Sequence, residues 1–166
     1  MNVSISNAAL ISPKKSYNSR VDTCLSYLPG EGEPLEESTA AWQDHLRIIE
    51  TLGAEGQSSD ETDEEDPNMY NVRTLPWRSK ELAMKVAITD KTRNTTNGYG
   101  NQRPGNRPQT RKRRKDAKPS QRKPPRGKPM NYYDAKWHNK LTHGQKRVLG
   151  ALLAMPFLDT SFNDTY

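Results

Sequence analysis

A dense cluster of basic residues is the strongest chemical feature of this sequence. The cluster runs through Arg111, Lys112, Arg113, Arg114 and Lys115, and continues with Lys118, Arg122 and Lys123. Guanidinium groups hold phosphate oxygens through paired hydrogen bonds, and each lysine ammonium adds a point charge. The cluster therefore predicts contact with the phosphate backbone of DNA or RNA.

The same cluster has two other interpretations. A short basic run is enough for a nuclear-import address, in which case its partner is an import receptor. A solvated linker with no partner is the third interpretation. The sequence shows no recognition helix, zinc finger or RNA-binding sheet pattern, so we expect any nucleic-acid binding to be weakly sequence-specific. Both functional interpretations favour a nuclear protein, with a cytoplasmic location as the alternative.

An acidic segment precedes the basic one. Residues 31–66 contain 13 acidic residues and one arginine, whereas residues 103–128 contain 12 basic residues and one aspartate. Ser58 and Thr62 each have a glutamate three residues downstream, which is the spacing that acid-directed kinases read, so both are phosphorylation candidates. A solvated spacer is the simpler interpretation. The opposite charges also suggest that the acidic segment competes with nucleic acid for the basic one.

Residues suited to catalysis are few and scattered. The three histidines, His45, His138 and His143, lie in two separate segments, and Cys24 is the one cysteine. Neither a metal-ligand spacing nor a nucleophile with an adjacent base is present. We therefore predict a non-enzymatic protein with no catalytic residues, no metal, no cofactor and no small-molecule substrate.

The composition limits the elements that can position these charges. Apolar residues make up 31 % of the 166 residues, against about 45–50 % in ordinary globular proteins. Such a chain buries too little apolar surface to offset its conformational entropy. We predict a mostly disordered chain with a small all-α element of two to four short helices and one short strand at most. No apolar run has the length of a membrane span, so no membrane partner is expected.

The pattern along the chain divides it into five parts. These are a disordered leader over 1–37, a helical region over 38–97 with an acidic loop at 54–68, a basic Pro/Gly-rich linker over 98–130, a helical segment over 131–156 and a tail over 157–166. In the region over 38–97, Ser79 is the predicted cap of a helix that fades into polar residues after Ile88. In the last helical segment, Asp134 and the pair Thr142 and Gln145 are predicted helix caps. The helix that Thr142 opens contains Gly150, at a cost of about 0.5–1 kcal/mol relative to alanine, and ends at Pro156. Its predicted apolar face consists of Val148, Leu149, Leu152 and Leu153.

The first predicted helix, over residues 38–52, carries a narrow apolar stripe. Trp42, Leu46 and Ile49 recur at helical spacing, and Gly53 follows where a left-handed residue commonly ends a helix. Trp42, Leu46 and Ile49 are candidates for docking on a protein partner, although packing in a small core is the commoner role of such a stripe. An adaptor whose basic cluster is only an import address is therefore an alternative function.

Three stretches resemble a group of uncharacterised proteins from mushroom-forming fungi that are often associated with mobile elements. The stretches are LGAEGQSSDETD at 52–63, YNVRTLPWRSKEL at 70–82 and RGKPMNYYDAKW at 126–137. The resemblance implies no known activity and supplies no functional residues. It favours a nuclear or nucleic-acid-related setting, and it keeps open a mobile-element remnant without a function.

Overall fold

The computed structural model describes residues 13–29, 37–57, 60–62, 69–95, 110–112 and 119–158. Over these residues the small helical element is confirmed, but it holds five α-helices rather than two to four, and three strands rather than one. The helices are α1 (Pro13–Leu25), α2 (Glu37–Leu52), α3 (Lys80–Thr95), α4 (Ala135–Asn139) and α5 (His143–Leu149). The strands are β1 (Asp60–Thr62), β2 (Met69–Val72) and β3 (Thr110–Lys112).

Helix α2 forms where the apolar spacing predicts it. Gly53 follows its last residue with a φ of 67° and a ψ of 176°, an extended conformation at positive φ that glycine adopts far more readily than other residues. Ile48, Ile49 and Leu52 are fully buried and form part of the main apolar core. Helix α2 therefore packs through the side that its sequence pattern indicates.

Helix α3 begins as predicted and ends later than predicted. The backbone N–H of Leu82 donates to the Ser79 hydroxyl at 3.2 Å, so Ser79 caps the helix. Apolar spacing alone indicates an end near Ile88, but the helix continues to Thr95. The reason is that Thr89 and Asp90 are buried, so the inner face of the last turns is polar.

Helix α1 lies within the predicted disordered leader, and for Pro13–Leu25 that prediction differs from the structure. Proline is well tolerated at a first helical position, because its missing N–H has no partner there in any case. The buried side of α1 includes Ser16, Arg20 and Cys24, so it has little of the apolar periodicity that marks a helix in a sequence.

A buried polar network joins α1 to α3 and to the turn after α2. Arg20 donates from Nε and Nη2 to the two carboxylate oxygens of Asp90, both at 2.9 Å. A third guanidinium nitrogen donates to Gln57, whose own amide donates to the carbonyl of Gly53 at 2.9 Å. The charges of Arg20 and Asp90 are paired, which is the condition for burying them.

The three strands form one small sheet in the order β1-β2-β3. Strand β1 runs antiparallel to β2, with Glu61 opposite Asn71, and β3 runs parallel to β2, with Lys112 opposite Asn71. Strand β1 belongs to the predicted acidic loop and β3 to the predicted basic linker. Since adjacent strands are about 4.8 Å apart, the sheet holds backbone of the two oppositely charged segments about 10 Å apart.

The end of α5 differs from the prediction, which continued this helix to Pro156. Gly150 has a φ of 59° and closes α5 after Leu149. Residues 150–158, which we call the C-terminal strap, then run past α2 and α3. The backbone N–H of Leu158 donates to Asp44 at 3.0 Å, and Lys85 donates to the carbonyl of Leu158 at 2.6 Å. Residues 157 and 158 of the predicted tail are thus attached to the helices.

Candidate nucleic-acid interface

The part of the chain from 119 to 158 carries a strong excess of positive charge. It contains one acidic residue, Asp134, and eight basic ones: Arg122, Lys123, Arg126, Lys128, Lys136, Lys140, Lys146 and Arg147. Each of the eight is exposed or half-buried. We call the five that lie from Lys128 to Arg147 the basic face. Their exposure makes them available to a polyanion.

Two capped helices position four of these cations. Asp134 accepts a hydrogen bond from the backbone N–H of Trp137 at 2.8 Å and so caps α4, which carries Lys136. Lys140 follows at the C-terminal cap of α4. Thr142 and Gln145 form the predicted capping box, in which each side chain accepts a hydrogen bond from the other residue's backbone N–H. This box starts α5, whose last turn contains Lys146 and Arg147.

The segment before α4 fixes both helices to the core. The backbone N–H of Asp134 donates to the carbonyl of Trp77 at 2.8 Å, and that of Ser79 donates to Tyr132 at 3.0 Å. Tyr133 packs between Trp77 and Trp137, with ring-centroid distances of 6.2 Å and 6.1 Å. The cations of the basic face are therefore attached to a fixed framework rather than to a loose linker.

The structure describes half of the predicted basic cluster. Arg111 and Lys112 lie in β3, where Lys112 is exposed, and Lys123 is also exposed. Arg122 is half-buried and donates from Nη1 to the carbonyl of Gln57 at 2.9 Å, so part of its hydrogen-bonding capacity serves the fold. The other predicted contact residues, Arg113, Arg114, Lys115 and Lys118, lie outside the described residues.

The predicted docking stripe on α2 points inwards. Trp42 is 5 % exposed and stacks on Tyr27 with centroids 4.5 Å apart, and Ile49 is fully buried. Leu46 is half-buried against the same core. These side chains already pack against other parts of the same chain, which favours the core-packing role, and partner docking through this stripe stays a prediction.

The predicted phosphorylation sites divide between described and undescribed residues. Thr62 is the last residue of β1, opposite Tyr70 of β2, and Ser58 lies outside the described residues. A kinase binds its substrate segment in its own cleft, so modification of Thr62 requires β1 to leave the sheet. Phosphorylation of either residue remains a prediction.

Sequence reasoning missed a buried cluster of three chemically reactive side chains. The Thr89 hydroxyl lies 3.3 Å from Nδ1 of His45 and also interacts with Cys24, and all three residues are fully buried. Desolvation raises the pKa of Cys24 to about 12 and lowers the pKa of His45 to about 4. Both groups are therefore neutral at physiological pH, which suits a structural cluster better than an ionised nucleophile and its base.

The described residues show neither a metal-binding cluster nor a membrane-spanning helix. No group of three or more histidine, cysteine, aspartate or glutamate side chains there is placed to hold a metal ion. Within the same residues, none of the helices has the length and apolar character needed to cross a membrane.

The comparisons with known proteins identify a family without an assigned activity. Neither the curated proteins nor the solved structures contain a match to this chain. Residues 39–163 match a family model described as a domain of unknown function (DUF8263). The matched range includes all but the first two residues of α2, then α3 to α5 and the C-terminal strap, whereas α1 precedes it. Because the match covers well over half of its residues, the chain belongs to the DUF8263 family.

Proposed function

We propose that this protein is a non-enzymatic, nucleic-acid-associated protein that binds phosphate backbones through its basic cluster and the adjoining basic face. The observation that supports the proposal most directly is the charge of residues 119–158, with eight cations and one carboxylate. Asp134, which caps α4, is the one opposing charge, so these residues keep a net charge of +7. Such contacts give affinity and little sequence preference.

The arrangement of cations supports a bound polyanion better than a single small anion. Lys112 is exposed at β3 in one part of the chain, while Lys136, Lys140 and Arg147 are exposed around α4 and α5. Lysines and arginines distributed over several elements suit a repeated charge such as a DNA or RNA backbone. We propose a nuclear location for the same reason, since the basic cluster also fits an import receptor.

Titration of an arbitrary duplex DNA tests the proposal by fluorescence anisotropy at several salt concentrations. If five to seven phosphates are engaged, the slope of log affinity against log salt is about −4 to −6. Replacing Arg111–Lys115 by glutamine should weaken binding and reduce the slope by about one unit per lost phosphate contact. A second test variant carries glutamine at four positions of the basic face, namely Lys136, Lys140, Lys146 and Arg147.

The control replaces Lys14 and Lys15, which are exposed on α1, by glutamine, and its loss of affinity is compared with that of the test variants per charge removed. This control lowers the net charge without altering the basic cluster or the basic face, so affinity should change little. A flat salt response, or equal losses in the control and the test variants, contradicts the proposal.

A protein-protein adaptor remains the second candidate, with the basic cluster acting only as an import address. The α2 stripe no longer supports it, but four exposed apolar side chains around α5 do.

We also propose that the chain is related to the fungal, mobile-element-associated proteins that its motifs resemble. The three resembling stretches all lie inside the family match at 39–163. Absence of any binding activity would favour a mobile-element remnant.

A further inference from the structure

Four large apolar side chains are exposed where α5 meets the C-terminal strap. Leu153 is 94 % exposed, Val148 and Leu152 are each 57 % exposed, and Met130 is 42 % exposed. Among the four apolar residues of the predicted helix face, namely Val148, Leu149, Leu152 and Leu153, only Leu149 is buried. Isolated exposed apolar residues are common, but a group of four along neighbouring segments indicates a contact surface.

The backbone that carries these side chains is held in place. The backbone N–H of Leu152 donates to the carbonyl of Lys128, and the backbone N–H of Met130 donates to the carbonyl of Leu152, both at 2.9 Å. The side-chain amide of Asn131 bonds both the N–H and the carbonyl of Met155, at 3.0 Å and 2.7 Å. Leu152 and Leu153 are thus fixed in exposed positions by a hydrogen-bonded segment. A preorganised surface costs less entropy on binding.

The surroundings of this apolar group are basic. Lys146 and Arg147 directly precede Val148 in α5, and Lys128 is bonded through its backbone to Leu152. Arg126 is exposed next to Gly127, whose N–H donates to the carbonyl of Leu149 at 2.9 Å. Asp134 is the one carboxylate of residues 119–158, and its side chain caps α4. An apolar centre with a cationic rim selects a ligand of the opposite pattern.

We propose that Met130, Val148, Leu152 and Leu153 form a docking surface for an acidic, amphipathic segment of a partner protein. Its apolar side chains would cover the four exposed ones, and its carboxylates would face Arg126, Lys128, Lys146 and Arg147. Nucleic acid fits the rim but not the centre, because aliphatic side chains offer neither a stacking plane nor a donor for phosphate. A second copy related by a two-fold axis would bring two positive rims together.

Selection from a random displayed-peptide library against the full chain tests this proposal. We expect enrichment of peptides that combine aspartate or glutamate with leucine, isoleucine or phenylalanine at helical spacing. The double substitution V148S/L153S should weaken the selected peptides at least about tenfold, because it removes two buried aliphatic contacts. Both positions are already exposed, so the far-ultraviolet circular dichroism of the variant should match that of the original protein.

The control substitution Met84→Ser changes a side chain on α3 that is 66 % exposed, and it should leave peptide binding unchanged. Duplex DNA affinity should also be unchanged by V148S/L153S, which separates this surface from phosphate binding. No enriched peptides, non-acidic peptides, or peptides indifferent to V148S/L153S would overturn the proposal. Two other results would also overturn the proposal. One is self-association in sedimentation that V148S/L153S abolishes, and the other is binding to anionic lipid vesicles that V148S/L153S abolishes.

Discussion

Arg20 and Asp90, which are 70 positions apart in the sequence, form a bidentate ion pair in which both nitrogen-oxygen distances are 2.9 Å. Their side chains are 1 % and 2 % exposed. The pair connects α1, which lies outside the family match, to α3, which lies inside it. Helix α1 is therefore attached to the family core by a specific polar contact.

Removing one member of this pair should destabilise the protein strongly. Arg20→Met leaves the Asp90 carboxylate buried without its main partner, and such a change typically costs about 3–5 kcal/mol. Urea unfolding followed by circular dichroism measures this loss. The double variant Arg20→Met with Asp90→Leu should recover much of it, because neither charge of this pair is then left buried alone. A single variant as stable as the original protein would contradict the buried pairing.

Stability should fall when the pH is lowered from 7 to 5, because of His45. Its pKa is lowered from 6.5 to about 4 by desolvation and by the Lys85 charge. The unfolded chain therefore takes up a proton near pH 6.5, whereas the folded protein does so only near pH 4. The free energy of unfolding should decrease by about 2 kcal/mol by pH 5 from this group alone.

Urea titrations from pH 7 to pH 5 measure this effect. His45→Gln should remove most of the pH dependence, whereas the exposed His143, replaced by glutamine as a control, should leave it in place. Parallel pH profiles for the original protein and His45→Gln would show that another group causes the decrease.

Cys24 should react slowly with thiol reagents in the folded protein. It is fully buried, and its pKa is raised to about 12, so it is a neutral thiol at pH 7–8. Labelling with Ellman's reagent should proceed only through opening of the structure, and it should become rapid in denaturing urea. Since Cys24 is the one cysteine of the chain, the absorbance change reports a single site. Fast labelling in native buffer would contradict this burial.

Loss of the capping box at α5 should cost a modest amount of stability. Thr142→Ala removes the hydroxyl that accepts from the backbone N–H of Gln145, and N-cap losses typically amount to about 1 kcal/mol. Thr142→Ser keeps the hydroxyl and should behave like the original protein. The midpoint of urea unfolding distinguishes the two. Equal midpoints for the alanine and serine variants would indicate that the box contributes nothing.

Neutralising acids near β1 should strengthen DNA binding at low salt. Replacing Asp60, Glu61, Glu64 and Glu65 by their amides removes four negative charges from the acidic segment, whose residues Asp60 and Glu61 lie in β1, with backbone about 10 Å from that of β3. We expect about fivefold tighter binding to duplex DNA, equivalent to ~1 kcal/mol. Replacing the four glutamates of residues 31–37 by glutamine is the matched control. Equal effects of the two variants would show that the tighter DNA binding comes from the change in net charge and not from the position of the acids near β1.

Sequence patterns predicted the helices whose buried faces are apolar or whose ends carry recognisable caps. Ile49 and Gly53 indicate α2, Ser79 indicates the start of α3, and Thr142 with Gln145 indicates α5. The patterns failed at α1 and at the end of α3, because the inner surfaces there are polar. Arg20 is assigned to the interior only once Asp90, its distant partner, is known.

The sheet and the exposed face of α5 were beyond prediction for a related reason. Strand β1 lies in a run of acids, and only its pairing with Tyr70 and Asn71 gives it a regular conformation. From its apolar neighbours, Gly150 is expected inside the last helix, whereas in the structure it is the left-handed residue that ends α5. That one misplaced boundary put Leu152 and Leu153 on a buried helix face. Pro13 is a sequence indication of α1, because proline favours the first position of a helix.

The C-terminal strap has a consequence for how this protein is made. Asp44 accepts from the N–H of Leu158, which lies 114 positions further along the chain. Arg47 donates to the carbonyl of Pro156 at 2.8 Å, and these two residues are 109 positions apart. These contacts cannot form until residues 156–158 have left the ribosome. A helical protein of this size with such distant contacts should fold more slowly than a simple helix bundle. During synthesis, α2 therefore lacks its contacts with the C-terminal strap, and its uncovered surface is accessible to chaperones until the strap binds.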